Sequence, residues 1–241
     1  MNTAAVLPGT HVDYSLRRLH ELCGSVVVDL DVVASLDAAI DALVAREGRE
    51  LAEDEVLRLV PYFGALWPAG RALAHWLGER PSVVRGRRVV EVACGLALPA
   101  IVAARLGGHV HACDAHPDVA PLVRRNAALN DVVIHYRQVD VADAAAVAAL
   151  GEFDVVLASD VVYDAALAGQ IAPALARLCR PGGRIVLADP GRPLLQNAVN
   201  ALEALGFRAE LETRRARRAD DPAAAGGAGE QDVFLVMCTR G

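Results

Sequence analysis

Val89-Val90-Glu91-Val92-Ala93-Cys94-Gly95-Leu96-Ala97-Leu98-Pro99 reads as a buried strand, a turn of small residues and the start of a helix. The β-branched run suits a strand covered on both faces, and a proline just inside the next apolar stretch suits the first turn of a helix. Small residues at 93, 95 and 97 let backbone amides approach a ligand closely, and the helix N-terminus beyond them favours an anion. Alanine stands at 93 and 97, where a positive φ would cost a Cβ on the order of 1 kcal/mol. A tight strand-to-helix turn with no ligand is the competing reading of the same residues.

Outward from this stretch, short apolar runs alternate with Ala/Leu-rich helical ones, the pattern of a mostly parallel sheet with helices on both faces. Strands are expected at Arg88–Ala93, His109–Asp114, Val132–Val139, Phe153–Ser159, Arg184–Ala188, Phe207–Thr213 and Val233–Thr239. Helices are expected at Leu98–Leu106, Pro117–Asn130, Ala142–Leu150, Ala165–Cys179 and Leu194–Leu205. The last two strands have no helical period between them, only a loop at Asp220 to Glu230, so they form an antiparallel pair. The fold class is therefore α/β, a Rossmann-like seven-stranded, mostly parallel sheet ending in an antiparallel hairpin.

Upstream, residues 1–60 read as a helical accessory segment, and residues 61–241 as the main domain. Ser35 caps a helix through Leu36, Ile40 and Leu43 that Gly48 stops, and a second helix covers Glu53 to Val60. From Ala69, Leu73, Trp76 and Leu77 recur at helical spacing until Pro81, on a helix that packs against the sheet.

Composition narrows the function classes. With 241 residues, 54% of them hydrophobic, the chain suits one sizeable α/β domain with an extension. The formal net charge of −6 draws it toward neither nucleic acid nor anionic membrane. All 24 basic residues are arginine, which excludes a Schiff-base or Walker-type lysine. Five cysteines without a CxxC pair, and the lack of a signal-like N-terminus or long apolar run, point to the cytoplasm. His109, His111, Cys113 and His116 imitate a metal site, but the first three lie along a strand that helices should sandwich, so no metal is expected. The arginines at 214, 215, 217 and 218 read as a solvated hairpin end offset by Asp220 and Asp221.

Chemistry concentrates at strand ends, on the edge where open α/β sheets bind ligands. Asp114 follows Glu91 at about the twenty-residue spacing at which an acid reaches a ribose diol, though it would also serve as a helix N-cap. Asp140, ending the third strand of the main domain, would likewise serve as a helix N-cap. The fourth strand ends in Ser159-Asp160-Val161-Val162-Tyr163, and the fifth leads into Asp189-Pro190-Gly191-Arg192-Pro193. A carboxylate and an aromatic ring at such an edge can hold and channel an ammonium group.

Glu91 to Ala97 resembles the E/D-x-G-x-G-x-G motif of class I methyltransferases, with Ala93 and Ala97 replacing two glycines. Asp140 resembles the acid or amide that the same class places near an adenine amino group, which is its other reading. Asp160 and Tyr163 match the D-x-x-Y signature of a group of seven-strand protein lysine methyltransferases. Pro61-Tyr62-Phe63-Gly64-Ala65-Leu66-Trp67-Pro68-Ala69-Gly70-Arg71-Ala72-Leu73 resembles the P-Y-W-x-x-x-W-P-x-G-x-A-L stretch of the electron-transfer-flavoprotein β-subunit lysine methyltransferase family. Ala188 to Pro193 resembles that family's G-D-P-G-R-P. The likeness covers about residues 61–193.

The resemblance implies S-adenosylmethionine as cofactor, held by Trp67, Glu91, Ala93, Gly95, Asp114, Asp140 and Ser159. It implies Asp160 and Tyr163 as catalytic residues, and Gly191, Arg192 and Pro193 bordering the substrate. The implied reaction is methylation of a lysine on a protein partner, with the electron transfer flavoprotein as candidate. Two alternatives stay open: methylation of a small amine on the same fold, and a binding protein without catalysis, which Ala93 and Ala97 motivate.

Overall fold

The computed structural model describes residues 5–7, 10, 12–47, 55, 59–218 and 229–240. Its centre is a seven-stranded sheet. In chain order the first three strands of the protein, β1 (Ala5–Leu7), β2 (Tyr14–Cys23) and β3 (Val26–Val33), form a separate antiparallel sheet. Helix α1 (Leu36–Glu47) follows, then α2 (Pro68–Glu79), β4 (Arg88–Val92), α3 (Leu98–Arg105) and β5 (His109–Asp114). The chain continues through α4 (Val119–Leu129), β6 (Ile134–Gln138), α5 (Ala144–Ala148), β7 (Phe153–Ser159) and α6 (Ala165–Leu178). It closes with β8 (Cys179–Asp189), α7 (Leu194–Ala204), β9 (Arg208–Arg217) and β10 (Glu230–Thr239).

The large sheet runs in the order β6-β5-β4-β7-β8-β10-β9. Its first five strands are parallel, while β10 inserts antiparallel between β8 and β9. The expected α/β plan with its terminal hairpin is therefore what forms. The connecting loop expected from Asp220 to Glu230 lies mostly outside the described residues.

Strand periodicity sorts the core into two layers. Val89, Val155 and Leu157 join α2, α3, α4 and the small sheet in one apolar cluster. Their neighbours Val90, Val156 and Ala158 join α5, α6 and α7 in the other. Alternate residues pointing to opposite faces is what a covered parallel sheet requires. Helix starts are set locally: Asp143 accepts from the amides of Ala145 and Ala146, and Asp164 from Leu167.

The reading of residues 1–60 as helical is corrected over most of the described part. Leu36–Glu47 is a helix as expected, whereas Tyr14–Cys23 and Val26–Val33 are a hairpin joined by Gly24-Ser25, with Gly24 at φ +59°. The second expected helix, Glu53 to Val60, falls largely outside the described residues. The hairpin is fastened to the main sheet's helices by side chains that imitate a strand neighbour. Asn126 accepts from the Asp31 amide at 2.9 Å and donates to its carbonyl at 3.2 Å, and Asn130 does the same to Asp29 at 2.9 and 2.7 Å. Residues four apart on α4 thus occupy the polar edge of β3 that an unpaired strand would otherwise expose.

The tip of that hairpin touches α2 backbone to backbone. A Cβ on Gly78 would lie 2.1 Å from the Cys23 carbonyl oxygen. Gly78→Ala is therefore expected to destabilise the fold by about 1–3 kcal/mol, as overpacking does, and to show as a lower thermal midpoint. An unchanged midpoint would mean that the hairpin tip is not held against α2.

Asp220 and Asp221, the partners expected for the arginines at the end of β9, lie outside the described residues. Arg214 meets Glu79 and Glu212, Arg215 meets Glu230 and Asp232, and Arg217 meets Glu21. Among the described residues no helix is long and apolar enough to cross a membrane.

Candidate active site

The carboxyl ends of β4, β5, β7 and β8 meet beneath the segment that leads into α2. At the end of β4 the backbone adopts the turn that the small residues suggested. Ala93, Gly95 and Ala97 all have positive φ, at +52°, +47° and +60°. Both alanines thus sit in the left-handed region that glycine would occupy without strain. Ala93 is exposed at the edge. Gly95 lies under the backbone of Phe63, whose carbonyl oxygen would be 3.1 Å from an added Cβ.

Asp114 ends β5 with its carboxylate held by two amides, Gly95 and His116, each at 3.0 Å. Burial raises its pKa, and the amides of His116 and Gly95 oppose the shift. The acid is thereby fixed beside the small-residue turn. Asp140 accepts from the Ala142 amide at 2.9 Å in a local turn, while the N-cap of α5 is Asp143. Its own residue is exposed.

Glu91 differs from the expectation. Its side chain does not open to the edge: it is 1% exposed and accepts from the Ala100 amide at 2.8 Å, inside the first turn of α3. Alternation puts it on the same face as Val89, the face that α3 covers, so it is buried there against the helix. Any service to a ligand is indirect, through the position of α3. Burial pushes its pKa up to about 8, so the folded protein keeps a proton that the unfolded chain, titrating at about 4.3, has already lost. This contribution to stability is complete below the unfolded pKa and disappears as pH rises through about 8. The thermal midpoint should fall from mildly acid to mildly alkaline pH, and Glu91→Gln, which keeps the hydrogen bond, should flatten that fall. A slope unaltered in the glutamine variant would assign it to another group.

At the end of β7, Ser159 lies beside the start of α2, its hydroxyl 3.5 Å from where a Gly70 Cβ would be. Asp160 follows at φ +58°, and its side chain is 12% exposed. Burial raises the Asp160 pKa, and Arg192 is the largest influence lowering it, with the Ala69 amide of α2 adding to that effect. Arg192 Nη2 reaches Asp160 Oδ1 at 2.8 Å, and Arg192 Nη1 reaches Asp189 Oδ2 at 2.8 Å. Tyr163 is 53% exposed. Its pKa is raised first by burial and then by Asp114 and Asp164, with Arg192 opposing.

Trp67 is the N-cap residue of α2, and its indole donates to the Tyr62 carbonyl at 2.9 Å. Phe63, in the same segment, packs on the His116 ring with centroids 4.4 Å apart and edge-on to Tyr14 at 5.8 Å. Gly191 and Pro193 are exposed in the loop that follows β8, with Gly191 at φ +89°. Arg192, by contrast, has both ends of its guanidinium engaged inside the fold. Phe63 was not among the expected site residues. Its place beside Tyr62 in the quoted stretch was the available signal. The histidines that imitated a metal site point apart: His111 packs on His135 and Phe153, and His116 contacts the Leu59 carbonyl.

Residues 90–187 match the methyltransferase domain family. The seven-stranded sheet with its terminal hairpin has the class I methyltransferase fold. S-adenosylmethionine is the cofactor that goes with it, and the chain's residues fit it. A left-handed turn, exposed at Ala93 and continued through Gly95, stands beside a fixed carboxylate at Asp114. Over 136 residues the chain is 35% identical to the electron transfer flavoprotein β subunit lysine methyltransferase of Xenopus laevis, covering 55% of this chain and 53% of that one. The human protein of the same name is 29% identical over 144 residues, covering 55% and 50%. A ubiquinone biosynthesis O-methyltransferase of Xanthomonas oryzae pv. oryzae is 35% identical over 107 residues, covering 44% of each chain. The chain thus spans about half the length of these relatives.

Among solved structures, the methyltransferase domain is similar to the Thermus thermophilus 16S rRNA N2 G1207 methyltransferase bound to AdoMet and guanosine. The TM-score is 0.63 at 15% identity, covering 97% of this chain and 52% of that one. It is also similar to the ribosomal protein L11 methylase of Lactobacillus delbrueckii subsp. bulgaricus, with a TM-score of 0.53 at 21% identity, covering 72% and 79%. Both likenesses concern the fold.

Proposed function

We propose that the protein transfers the methyl group of S-adenosylmethionine to the side-chain amine of a lysine in a protein substrate. The observation that carries this reading is the Asp160 carboxylate, covered from solvent at the carboxyl end of β7, where it meets Arg192 at 2.8 Å, with Tyr163 exposed three residues further on. An acceptor that arrives as a cation finds its counter-charge there.

In this reading residues 61–241 are the catalytic unit and residues 1–60 an accessory one. Gly95 and Ala93 would receive the cofactor's amino-acid end, Asp114 its ribose, and Asp140 its adenine. Trp67 and Ser159 would line its other side. When bound, the cofactor supplies a methyl group already activated as a sulfonium. The chain's own work is alignment, the largest gain open to a transfer of this kind. Asp160 binds and orients the ammonium while water removes the proton that a lysine holds up to about pH 10.4. Tyr163 narrows the channel and offers a π face to the cation.

Relatives named for the electron transfer flavoprotein β subunit make that protein the candidate partner. Five free, buried cysteines suit a reducing, cytoplasmic setting. The test is incubation with methyl-labelled cofactor and the purified flavoprotein, followed by mapping of the label. Label on a lysine side chain is expected. Saturable transfer to free amines with none to any protein would replace this reading with the small-molecule one.

A further inference from the structure

We infer that Asp189 and Arg192 are positioning residues of the acceptor site. Asp189 fixes Arg192, Arg192 holds Asp160 as a carboxylate, and the cluster is left one positive charge short, so that it selects an acceptor arriving as a cation. The inference rests on the reading of Asp160 given above.

The cluster is built from the inside out. Asp189 is fully buried at the end of β8. Its Oδ1 accepts from the amides of Gly191 at 2.8 Å and Arg192 at 2.7 Å, and its Oδ2 takes Arg192 Nη1 at 2.8 Å. One carboxylate therefore fixes both the loop and the side chain that the loop carries. The loop itself requires glycine at 191: φ is +89°, and a Cβ would meet the Phe234 ring at 2.6 Å. From that anchorage Arg192 Nη2 reaches Asp160 Oδ1 at 2.8 Å.

Charge then decides what is missing. One guanidinium is shared between two carboxylates, which leaves the group at −1. Neither Asp160 oxygen completes a hydrogen bond of full geometry among the described residues, so the ion pair with Arg192 is its main support. The groups acting on Asp160 are Arg192 and Asp189 from the β8–α7 loop and the Ala69 amide from α2. Burial works against its charged form, and Arg192 is the largest opposing influence. The left-handed φ of +58° at Asp160 is a strained conformation for a residue with a side chain. A neutral acceptor would leave the surplus charge uncompensated, and an ammonium would cancel it.

Titration of Asp160 by carbon NMR of aspartate-labelled protein loaded with S-adenosylhomocysteine tests this without any acceptor, with Asp160→Asn used for assignment. Arg192→Met should raise the Asp160 pKa by about 1–3 units, the size of effect that an adjacent opposite charge exerts. Arg192→Lys should stay near the wild type, and cofactor affinity should be unchanged in both. Should the methionine variant not fold, Arg192→Gln, which keeps a donor toward Asp189 without the charge, reads the same shift. An Asp160 titration unmoved in a folded neutral variant would overturn the inference. Selection is read with n-butylammonium and n-butanol: the Asp160 resonance of the wild type should respond saturably to the first and not to the second. An equal response, or none to the ammonium, would overturn it. Failure of the lysine reading would appear separately, as a wild-type protein that methylates no amine.

Discussion

Asp160→Ala is expected to remove methyl transfer while leaving cofactor affinity intact. Truncating one member of a covered charge pair costs about 2–5 kcal/mol, and if this is lost from the transition state the rate falls about 30- to several-thousand-fold. In the proposed reading the cofactor is held by Asp114 and the turn at Gly95, at the ends of β5 and β4, and not by this carboxylate. Calorimetry with S-adenosylhomocysteine should therefore give wild-type affinity for the variant. Asp160→Asn is the sharper probe, because asparagine tolerates the left-handed backbone at φ +58° better than alanine does. A loss shared by both variants belongs to the charge. An alanine enzyme with full activity would remove Asp160 from the chemistry.

What the sequence allowed to be read follows from where each signal resides. The central strands β7, β8 and β10 carry unbroken apolar runs at residues 155–158, 185–188 and 233–238 because both their faces are covered, and the hairpin at β9 and β10 was legible from a missing helical period. Asp114 and Asp160 were legible because strand ends announce themselves. The small sheet was not read, although Gly24-Ser25 between two alternating runs is a hairpin signal. Its alternation is masked by Arg18 and Glu21, whose partners Asp31 and Arg71 make charged residues compatible with a covered strand. Such partnerships have no local signature: Glu21 and Arg71 are fifty positions apart. The same holds for Asn126 and Asn130 on β3, which a helical pattern shows only as two polar residues four apart. Glu91 was read as a ligand contact from its motif position, whereas its place in a strand covered on both faces buries it whichever face it takes. Arg192 was read as a substrate contact because its motif sits at the mouth, while its two carboxylate partners come from different strands.

Arg71→Ala is expected to be the most destabilising single change, at about 3–5 kcal/mol, because it leaves a charge buried without its partner. Arg71 is 2% exposed and Glu21 3%. The guanidinium meets Glu21 through Nε at 3.1 Å and Nη2 at 3.0 Å, and its Nη1 donates to the carbonyls of Arg217 at 3.2 Å and Arg218 at 3.0 Å. One side chain in the first turn of α2 thus joins the small sheet to the end of β9. Arg217 also reaches Glu21, at 3.1 Å, from a half-exposed position, and retains only part of the compensation when Arg71 is lost. Since domains of this size are stable by about 5–15 kcal/mol in all, the loss should appear as a large drop in the denaturation midpoint. The paired change Arg71→Met with Glu21→Gln should recover much of it, because it buries neither charge. Function follows from the same geometry. The start of α2 presents the Ala69 amide to Asp160 and sets Gly70 against Ser159. The single variant should therefore lose methyl transfer faster than it loses secondary structure, and the pair should restore both. Recovery of stability in the pair without recovery of activity would separate Arg71's hold on the fold from its hold on the site.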